Sequence, residues 1–128
     1  MNPRQFLLLG GVVLLLVGLL GFEFIGLIGP TAEDSIFGDA WWFDDGENWA
    51  HTILGVVAII AGLSFPANAQ RGLTFLVGLL GIFFGVYNLF STRVADTNLE
   101  NPADTILHFA VGAWALFAAS RRPAMAGT

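Results

Sequence analysis

The chain has 128 residues, of which 55% are hydrophobic and only 12% are charged, and its mean hydropathy is +0.73. Soluble domains carry about 25% charged residues, so this composition indicates a protein that lies mostly in a lipid bilayer. The five basic residues are all arginines and the net charge is −5, which argues against nucleic-acid binding. The absence of cysteine excludes a disulfide framework.

Four apolar segments reach or approach the length of about 20 residues that a helix needs to cross a bilayer. They comprise residues 6–28, 49–65, 73–90 and 105–119. The first is too long for the apolar part of a secretory signal, and no small-x-small cleavage site follows it. The fourth is short, and we expect Arg121 and Arg122 to reach the membrane surface beyond it. The sequence thus predicts an all-α polytopic membrane protein, a four-transmembrane-helix bundle forming a single domain over residues 1–128.

The arginines predict an orientation. With the N-terminus in the cytoplasm, four arginines are cytoplasmic and one is outside, as the positive-inside rule requires. The cytoplasmic set is Arg4, Arg71, Arg121 and Arg122, and the outer one is Arg93. Nine of the ten acidic residues then lie in two outer loops. We therefore expect a multi-pass protein of the cell (inner) membrane with both termini in the cytoplasm.

Two stretches of the chain are similar to each other. The string LVGLLGF at 16–22 recurs as LVGLLGI at 76–82, an offset of 60 residues. H-x-x-x-G strings begin at His51 and His108, an offset of 57. Each unit would cross the membrane twice, so both units would have the same orientation. The two predicted parallel helical-hairpin repeats comprise about residues 6–65 and 73–120.

The helices of each unit have predicted starts and contact faces. Asp44-x-x-Glu47 is typical of a capping box, and Asn101-Pro102-x-Asp104 is typical of a cap with proline at the first helical position. In lipid, helices associate through close packing of small residues. We expect such contacts on one face of the first and third helices, at Gly11, Gly18, Gly21, Gly78, Gly81 and Gly85.

Both histidines lie about six residues into their predicted helices, in the outer half of the membrane. Asn88 lies near the outer end of the third helix, so we expect a polar cluster of His51, Asn88 and His108. Ionisable residues inside a membrane are functional candidates. Three interpretations stay open: a hydrogen bond that locks helix packing, ligation of haem iron or of a (bacterio)chlorophyll magnesium, and a proton relay or ion path. We expect no zinc site, because two histidines without cysteine lack further ligands.

Glu23 is the only acidic residue within a predicted span. On a helix it would point away from Gly18 and Gly21, towards the membrane surface or a partner subunit. The first outer loop is rich in tryptophan, and indole rings are enriched at membrane interfaces. The tryptophans that we expect to anchor this loop or to dock another membrane protein are Trp41, Trp42 and Trp49. Acidic residues of the loop lack the spacing of an EF-hand calcium site.

These motifs resemble a family of small bacterial four-helix membrane proteins that carry a domain of unknown function. In that family an N-x-x-H pair precedes the second helix, and an N-x-x-D-x-x-L-H stretch precedes the fourth. The matching residues are Asn48, His51, Asn101, Asp104, Leu107 and His108. A tryptophan-rich acidic insertion at residues 35–47 departs from the family's shorter loop. The resemblance covers about residues 6–120 and implies the four-helix topology without implying an activity.

The sequence contains no nucleotide-binding glycine loop and no nucleophile beside a base, so we expect no enzyme and assign no catalytic residue. We expect instead an accessory or structural subunit, surrounded by lipid and packed against other membrane subunits or copies of itself. One alternative is a haem or pigment carrier that uses His51 and His108. Another is a small transporter or channel, which would need a polar path through the inner half of the bundle.

Overall fold

The computed structural model describes residues 1–100 and 102–121, and within them the chain forms four long helices. The helices are α1 (Pro3–Gly21), α2 (Asp45–Ser64), α3 (Ala67–Phe90) and α4 (Ala103–Ser120). All four are long and apolar enough to cross a membrane. The prediction of an all-α, four-helix membrane protein is therefore confirmed.

The two ends of the bundle differ chemically. α1 and α3 end, and α2 and α4 begin, at what we call the acidic end, where all ten acidic residues lie. The opposite end, which we call the arginine end, carries Arg4, Arg71 and Arg121. Arg122 lies outside the described residues. This separation of charge fits a bundle whose helices all run from one membrane surface to the other.

Helix α1 is shorter than the predicted first span and ends seven residues early, at Gly21. The next residue is extended, and the chain folds back so that the N–H of Leu27 donates to the carbonyl oxygen of Leu20 at 3.1 Å. Residues 22–28 are apolar except for Glu23, yet they form a turn. Glu23 therefore lies beyond α1, so the helical geometry from which its direction was predicted does not apply to it, and its predicted role at an interface stays a prediction.

Helices α2 and α4 start in different ways. Asp44 Oδ1 accepts a hydrogen bond from the N–H of Glu47 at 2.9 Å, and the Glu47 carboxylate accepts one from the N–H of Asp44 at 3.2 Å. The predicted capping box of α2 is thus confirmed. α4 begins at Ala103, so Pro102 is the N-cap instead of the first helical residue. The predicted cap residue Asn101 lies outside the described residues.

The helices pack as two hairpins, α1 against α2 and α3 against α4. Between the hairpins, α1 contacts α3 and, less extensively, α4, whereas α2 makes little direct contact with α4. Glycines allow the close approach within each hairpin, as the sequence predicts. A Cβ atom on Gly55 would lie 2.6 Å from the backbone nitrogen of Leu15, and one on Gly112 would lie 2.8 Å from that of Ile82.

Corresponding glycine contacts occur in both hairpins. Gly55 packs against Gly11 of α1, and Gly112 packs against Gly78 of α3. Since Gly55 and Gly112 are 57 positions apart, these contacts match α1 to α3 at an offset of 67 residues. Gly18 and Gly85 follow the same offset, and both of them face the second turn of the paired helix.

The two LVGLLG strings do not occupy corresponding places in this packing. Gly18 of the first string lies beside Asn48 and Thr52, near the acidic end, whereas Gly78 of the second lies beside Leu116, towards the arginine end. The offset of 60 expected from the strings therefore differs from the packing offset by seven residues. Seven residues are about two helical turns, so the shift leaves each residue on nearly the same helix face.

An arginine joins the helices of each hairpin at the arginine end. Arg4 Nε donates to the carbonyl oxygen of Gly62 at 3.1 Å, and Arg71 Nε donates to that of Ala119 at 2.9 Å. Arg4 and Arg71 are 67 positions apart, and Gly62 and Ala119 are 57 positions apart, as in the glycine contacts. The last carbonyl groups of a helix have no partner within the helix, and a cation there is favourable. Each arginine therefore satisfies the end of the helix beside it.

Between the hairpins, near the arginine end, a cluster of apolar side chains packs beside the buried polar side chains of Gln70 and Thr74. It contains the buried side chains of Phe6, Leu7, Ala61, Ala115 and Ala118. The Phe6 ring meets the Trp114 ring edge-on, with centroids 4.7 Å apart. Small residues on α2 and α4 thus pack around large ones on α1. The two histidines lie between this core and the acidic end.

At the acidic end, two folded loops cover the bundle. In the long loop, residues 22–44, the N–H of Phe43 donates to the carbonyl oxygen of Ile28 at 2.8 Å, and both side chains are buried. The shorter loop contains two antiparallel strands, β1 (Arg93–Val94) and β2 (Thr97–Asn98). The N–H of Asn98 donates to the Asp44 carboxylate at 2.7 Å. This hydrogen bond joins the shorter loop to the start of α2.

Candidate functional site

The structure brings the two histidines near each other. His51 lies in the second turn of α2 and His108 in the second turn of α4, and both are half-buried. They are close enough for a charge on one imidazole to act on the other. Each ring also contacts a phenylalanine, since the His51 centroid is 5.1 Å from that of Phe43 and the His108 centroid is 5.8 Å from that of Phe84. The aromatic contacts fix both rings between helices.

The Nδ1 atoms of both imidazoles are buried and make no hydrogen bond within the described part of the chain. The His108 ring is directed towards the backbone of Asp104, one turn earlier, but without hydrogen-bond geometry. Leaving a buried polar atom without a partner costs about 1–3 kcal/mol. In proteins such atoms are usually satisfied by ordered water or a ligand. Each imidazole therefore has a nitrogen atom that a bound water molecule or ligand would satisfy.

Asn88 is buried, with 1% of its surface exposed. Its Nδ2 atom donates to Thr105 Oγ1 at 2.7 Å and to the carbonyl oxygen of Glu100 at 3.1 Å. Thr105 lies three residues before His108, so Asn88 is beside the turn that carries this imidazole. These contacts give Asn88 a role in joining α3 to α4, while its membership of a cluster with both histidines stays a prediction.

A second buried carboxamide was missed by the sequence analysis. Asn48 is fully buried in α2, fills the space beside Gly21 of α1, and donates from Nδ2 to the carbonyl oxygen of Phe43 at 3.3 Å. At the offsets of 67 and 57, Gly21 corresponds to Asn88 and Asn48 to Thr105. Near the acidic end, each hairpin thus has one buried carboxamide at the same level, on opposite helices, in addition to Gln70 near the arginine end. Only the packing offset reveals this correspondence.

Two acidic residues at the starts of α2 and α4 are buried, Glu47 with 4% and Asp104 with 2% of their surface exposed. Asp104 Oδ2 accepts a hydrogen bond from the N–H of Glu100 at 2.6 Å. Asp104 Oδ1 accepts one from the indole N–H of Trp41 at 3.1 Å. The sequence predicted caps at these positions but not their burial. No group of three or more metal-binding side chains occurs among residues 1–100 and 102–121.

The predicted interface tryptophans have different surroundings. Trp41 is half-buried, and its hydrogen bond to Asp104 joins the long loop to α4. Trp42 is half-buried as well and stays a predicted interface residue. Trp49 is 59% exposed and packs edge-on against Phe22, with ring centroids 5.1 Å apart. Of the three, Trp49 presents the largest fraction of its surface to the outside of the bundle.

Glu23 and Trp49, both predicted interface residues, line the same groove. We call it the acidic groove; it lies where α1 ends and α2 begins, and its lining is Leu19, Phe22, Glu23, Phe24, Asp45, Trp49 and Thr52. The Phe22 and Phe24 rings are stacked, with centroids 5.7 Å apart. Both carboxylates in the groove belong to exposed residues. The groove therefore combines exposed aromatic rings with negative charge on the side of the first hairpin.

The long loop also exposes apolar side chains beyond the groove. They are Ile25, Leu27, Ile36 and Phe37, and their exposed fractions range from 37% to 65%. The N–H of Ile36 donates to the carbonyl oxygen of Leu27 at 2.9 Å, so this apolar surface belongs to a folded loop. Contiguous exposed apolar surface outside a membrane span is typical of an interaction site.

No protein-family model, no curated protein and no solved structure matches the chain.

Proposed function

We propose that the protein is a non-catalytic accessory subunit of a larger membrane assembly. The observation that supports this function best is the acidic groove, where an exposed glutamate lies beside exposed aromatic rings on the side of a hydrophobic hairpin. A carboxylate directed at lipid would be costly, so a groove of this composition suits a protein partner or water. The exposed apolar surface of the long loop extends the same interaction area.

In this proposal the bundle consists of two parallel hairpin repeats in the inner membrane, with both termini in the cytoplasm. The two arginine-to-carbonyl hydrogen bonds and the corresponding glycine contacts support the repeat. The arginines at one end and the acidic residues at the other support the orientation. Membership of the four-helix family with a domain of unknown function is part of the same proposal, and it supplies no activity.

Native mass spectrometry after extraction in a mild detergent tests the accessory function. We expect a species that contains the 13.7 kDa chain together with other subunits or further copies of itself. Trp49→Ala combined with Phe24→Ala should release the chain, because both side chains line the acidic groove. Phe90→Ala combined with Ile106→Ala is the matched control on the second hairpin. A monomer without a co-purifying subunit would contradict the proposal.

The two histidines favour a second candidate function, the binding of haem or a chlorophyll-type pigment. The observation behind it is that both imidazoles lie near each other with unpartnered Nδ1 atoms. An imidazole nitrogen is a common ligand of haem iron. The absorption spectrum of protein purified from its native membrane is the test. A Soret or chlorophyll-type band that disappears in His51→Ala and His108→Ala supports this function, and a spectrum without such a band rejects it.

A further inference from the structure

We propose that the acidic groove binds a second membrane protein, of different sequence, through a lysine or arginine side chain at the outer end of one of its transmembrane segments. This inference rests on the proposed accessory function and specifies the chemistry of the partner. It follows from the charge of the groove, from its aromatic lining, and from a comparison of the two hairpins.

The carboxylates of the groove have no partner among the residues that the structure describes. Glu23 follows α1 and Asp45 begins α2, and neither side chain makes a hydrogen bond or ion pair with residues 1–100 or 102–121. Arg93, in the shorter loop, is the one basic residue at the acidic end of the described chain, and it does not line the groove. The groove is therefore negative and has no compensating charge of its own.

The corresponding surface of the second hairpin allows a comparison within the same molecule. At the offsets of 67 and 57, none of the groove's seven positions falls on a charged residue. Trp49 corresponds to Ile106, which is 62% exposed. Glu23, in the turn beyond α1, is matched by the offset alone to Phe90, the last residue of α3, which is 86% exposed. The two hairpins thus differ in charge where α1 and α3 end. Lipid contact accounts for the apolar surface but not for the acidic one, which suits a protein partner or water.

The shape and lining of the groove suit a long basic side chain. Phe22, Phe24 and Trp49 offer aromatic surface along which the aliphatic stem of lysine or arginine can lie. The positive end would then reach Glu23 or Asp45 beside ring faces, where cation–π attraction adds to the ion pair. The hydroxyl oxygen of Thr52, at the inner side of the groove, is buried and makes no hydrogen bond within the described residues.

The charge distribution favours a different protein over other occupants. A second copy of this chain would bring its own acidic end to the same height in the membrane, where its ten acidic residues outnumber the single Arg93 and would repel those of the first. An anionic phospholipid would bring uncompensated negative charge close to the two carboxylates, which is unfavourable as well, and binding of a zwitterionic headgroup is the lipid outcome that the test separates from a protein partner. Basic residues are uncommon on the outer side of membrane proteins, so a partner that carries one there would be selected specifically.

The test uses site-specific photo-crosslinking of the full chain in its native membrane. A photoreactive amino acid replaces Phe24 in the groove or, as a matched control, Phe90 on the second hairpin. We expect the Phe24 probe to form an adduct with a transmembrane segment that has a lysine or arginine at its outer end, identified by sequencing the crosslinked peptide. Combining the probe with Glu23→Gln and Asp45→Asn should lower the adduct yield about tenfold, as expected for a lost ion pair.

Charge reversal makes the result specific. Glu23→Arg should abolish the adduct, and replacing the partner's basic residue with glutamate should restore it. The proposal is overturned by an adduct with a second copy or with lipid only, by a crosslinked segment without a basic residue, by a yield that the amide variants leave unchanged, or by the absence of any Phe24 adduct. If native mass spectrometry still shows a complex in such a case, the accessory function stands and the groove is not its interface.

Discussion

The indole N–H of Trp41 donates a hydrogen bond to the buried carboxylate of Asp104, 3.1 Å away, and this contact joins the long loop to the first turn of α4. Trp41→Phe keeps an aromatic ring but removes the donor. We expect the variant to lose about 1–3 kcal/mol of unfolding free energy, because a buried carboxylate oxygen loses a partner. Denaturant unfolding in detergent measures the loss. Trp42→Phe is the control, and an equal loss there would show that the hydrogen bond is not the cause.

The contact between Gly21 and Asn48 gives a second prediction. The Asn48 carboxamide occupies the space that a side chain at position 21 would need, so Gly21→Ala should destabilise the α1–α2 hairpin. Truncating the carboxamide in Gly21→Ala/Asn48→Ala should recover part of the loss, as a double-mutant cycle of thermal unfolding would show. A Cβ atom on Gly72 would have no neighbouring atom within 4 Å, so Gly72→Ala should be neutral or gain up to about 1 kcal/mol.

The paired arginine contacts predict matched effects in the two hairpins. Arg4→Met and Arg71→Met each remove one hydrogen bond to the end of a neighbouring helix. We expect similar losses of about 1–2 kcal/mol in unfolding free energy. Arg121→Met, which removes only an exposed cation–π contact with Phe117, should cost less. Unequal effects of the first two substitutions would contradict a correspondence between the hairpins.

Replacing either histidine should affect ligand binding without an equal effect on the free energy of unfolding. Their Nδ1 atoms make no hydrogen bond within the described residues, so His51→Leu and His108→Leu remove no internal partner of those atoms. We expect ligand-free protein to keep its unfolding free energy within about 1 kcal/mol, since replacing an unsatisfied polar group by an apolar one is often neutral or stabilising. A loss of about 3 kcal/mol or more in either variant would instead show that the imidazole locks the helices together.

The absence of cysteine allows a direct test of the proposed orientation. Single cysteines are introduced in place of Asp39, in the long loop, and Asn68, in the first turn of α3. A thiol reagent that cannot cross membranes should label position 39 in intact cells and position 68 only after permeabilisation. The reverse pattern would place the acidic end in the cytoplasm and contradict the proposed topology.

Hydropathy predicted the four helices because crossing a bilayer imposes length and composition together. It could not predict that α1 ends at Gly21, since residues 22–28 are as apolar as a span and only their hydrogen bonds show the turn. The H-x-x-x-G strings placed the two histidines at corresponding positions. The LVGLLG strings suggested the wrong correspondence, because a shift of two helical turns preserves the pattern of glycines on one face.

For the candidate site, the sequence identified individual residues but did not show which of them lie next to one another. It singled out Glu23 and Trp49, and the structure places both in one groove. It could not show that the second hairpin lacks an acidic counterpart of the groove, because the comparison of Glu23 with Phe90 depends on the packing offset. Asn48 was overlooked as a buried group for the same reason: its burial depends on how closely a glycine on another helix approaches it.

Each helix packs mainly against the other helix of its own hairpin, and this affects the order in which the protein can assemble during synthesis. A ribosome that has synthesised residues 1–66 has already supplied every residue of the α1–α2 contact, including Arg4 and its acceptor. The first pair of helices can therefore close in the translocon before the second pair has emerged. The hydrogen bond between Asp44 and Asn98 must form later, once α3 has crossed the membrane and the loop after it has reached the acidic end, and it then joins the first hairpin to the loop of the second.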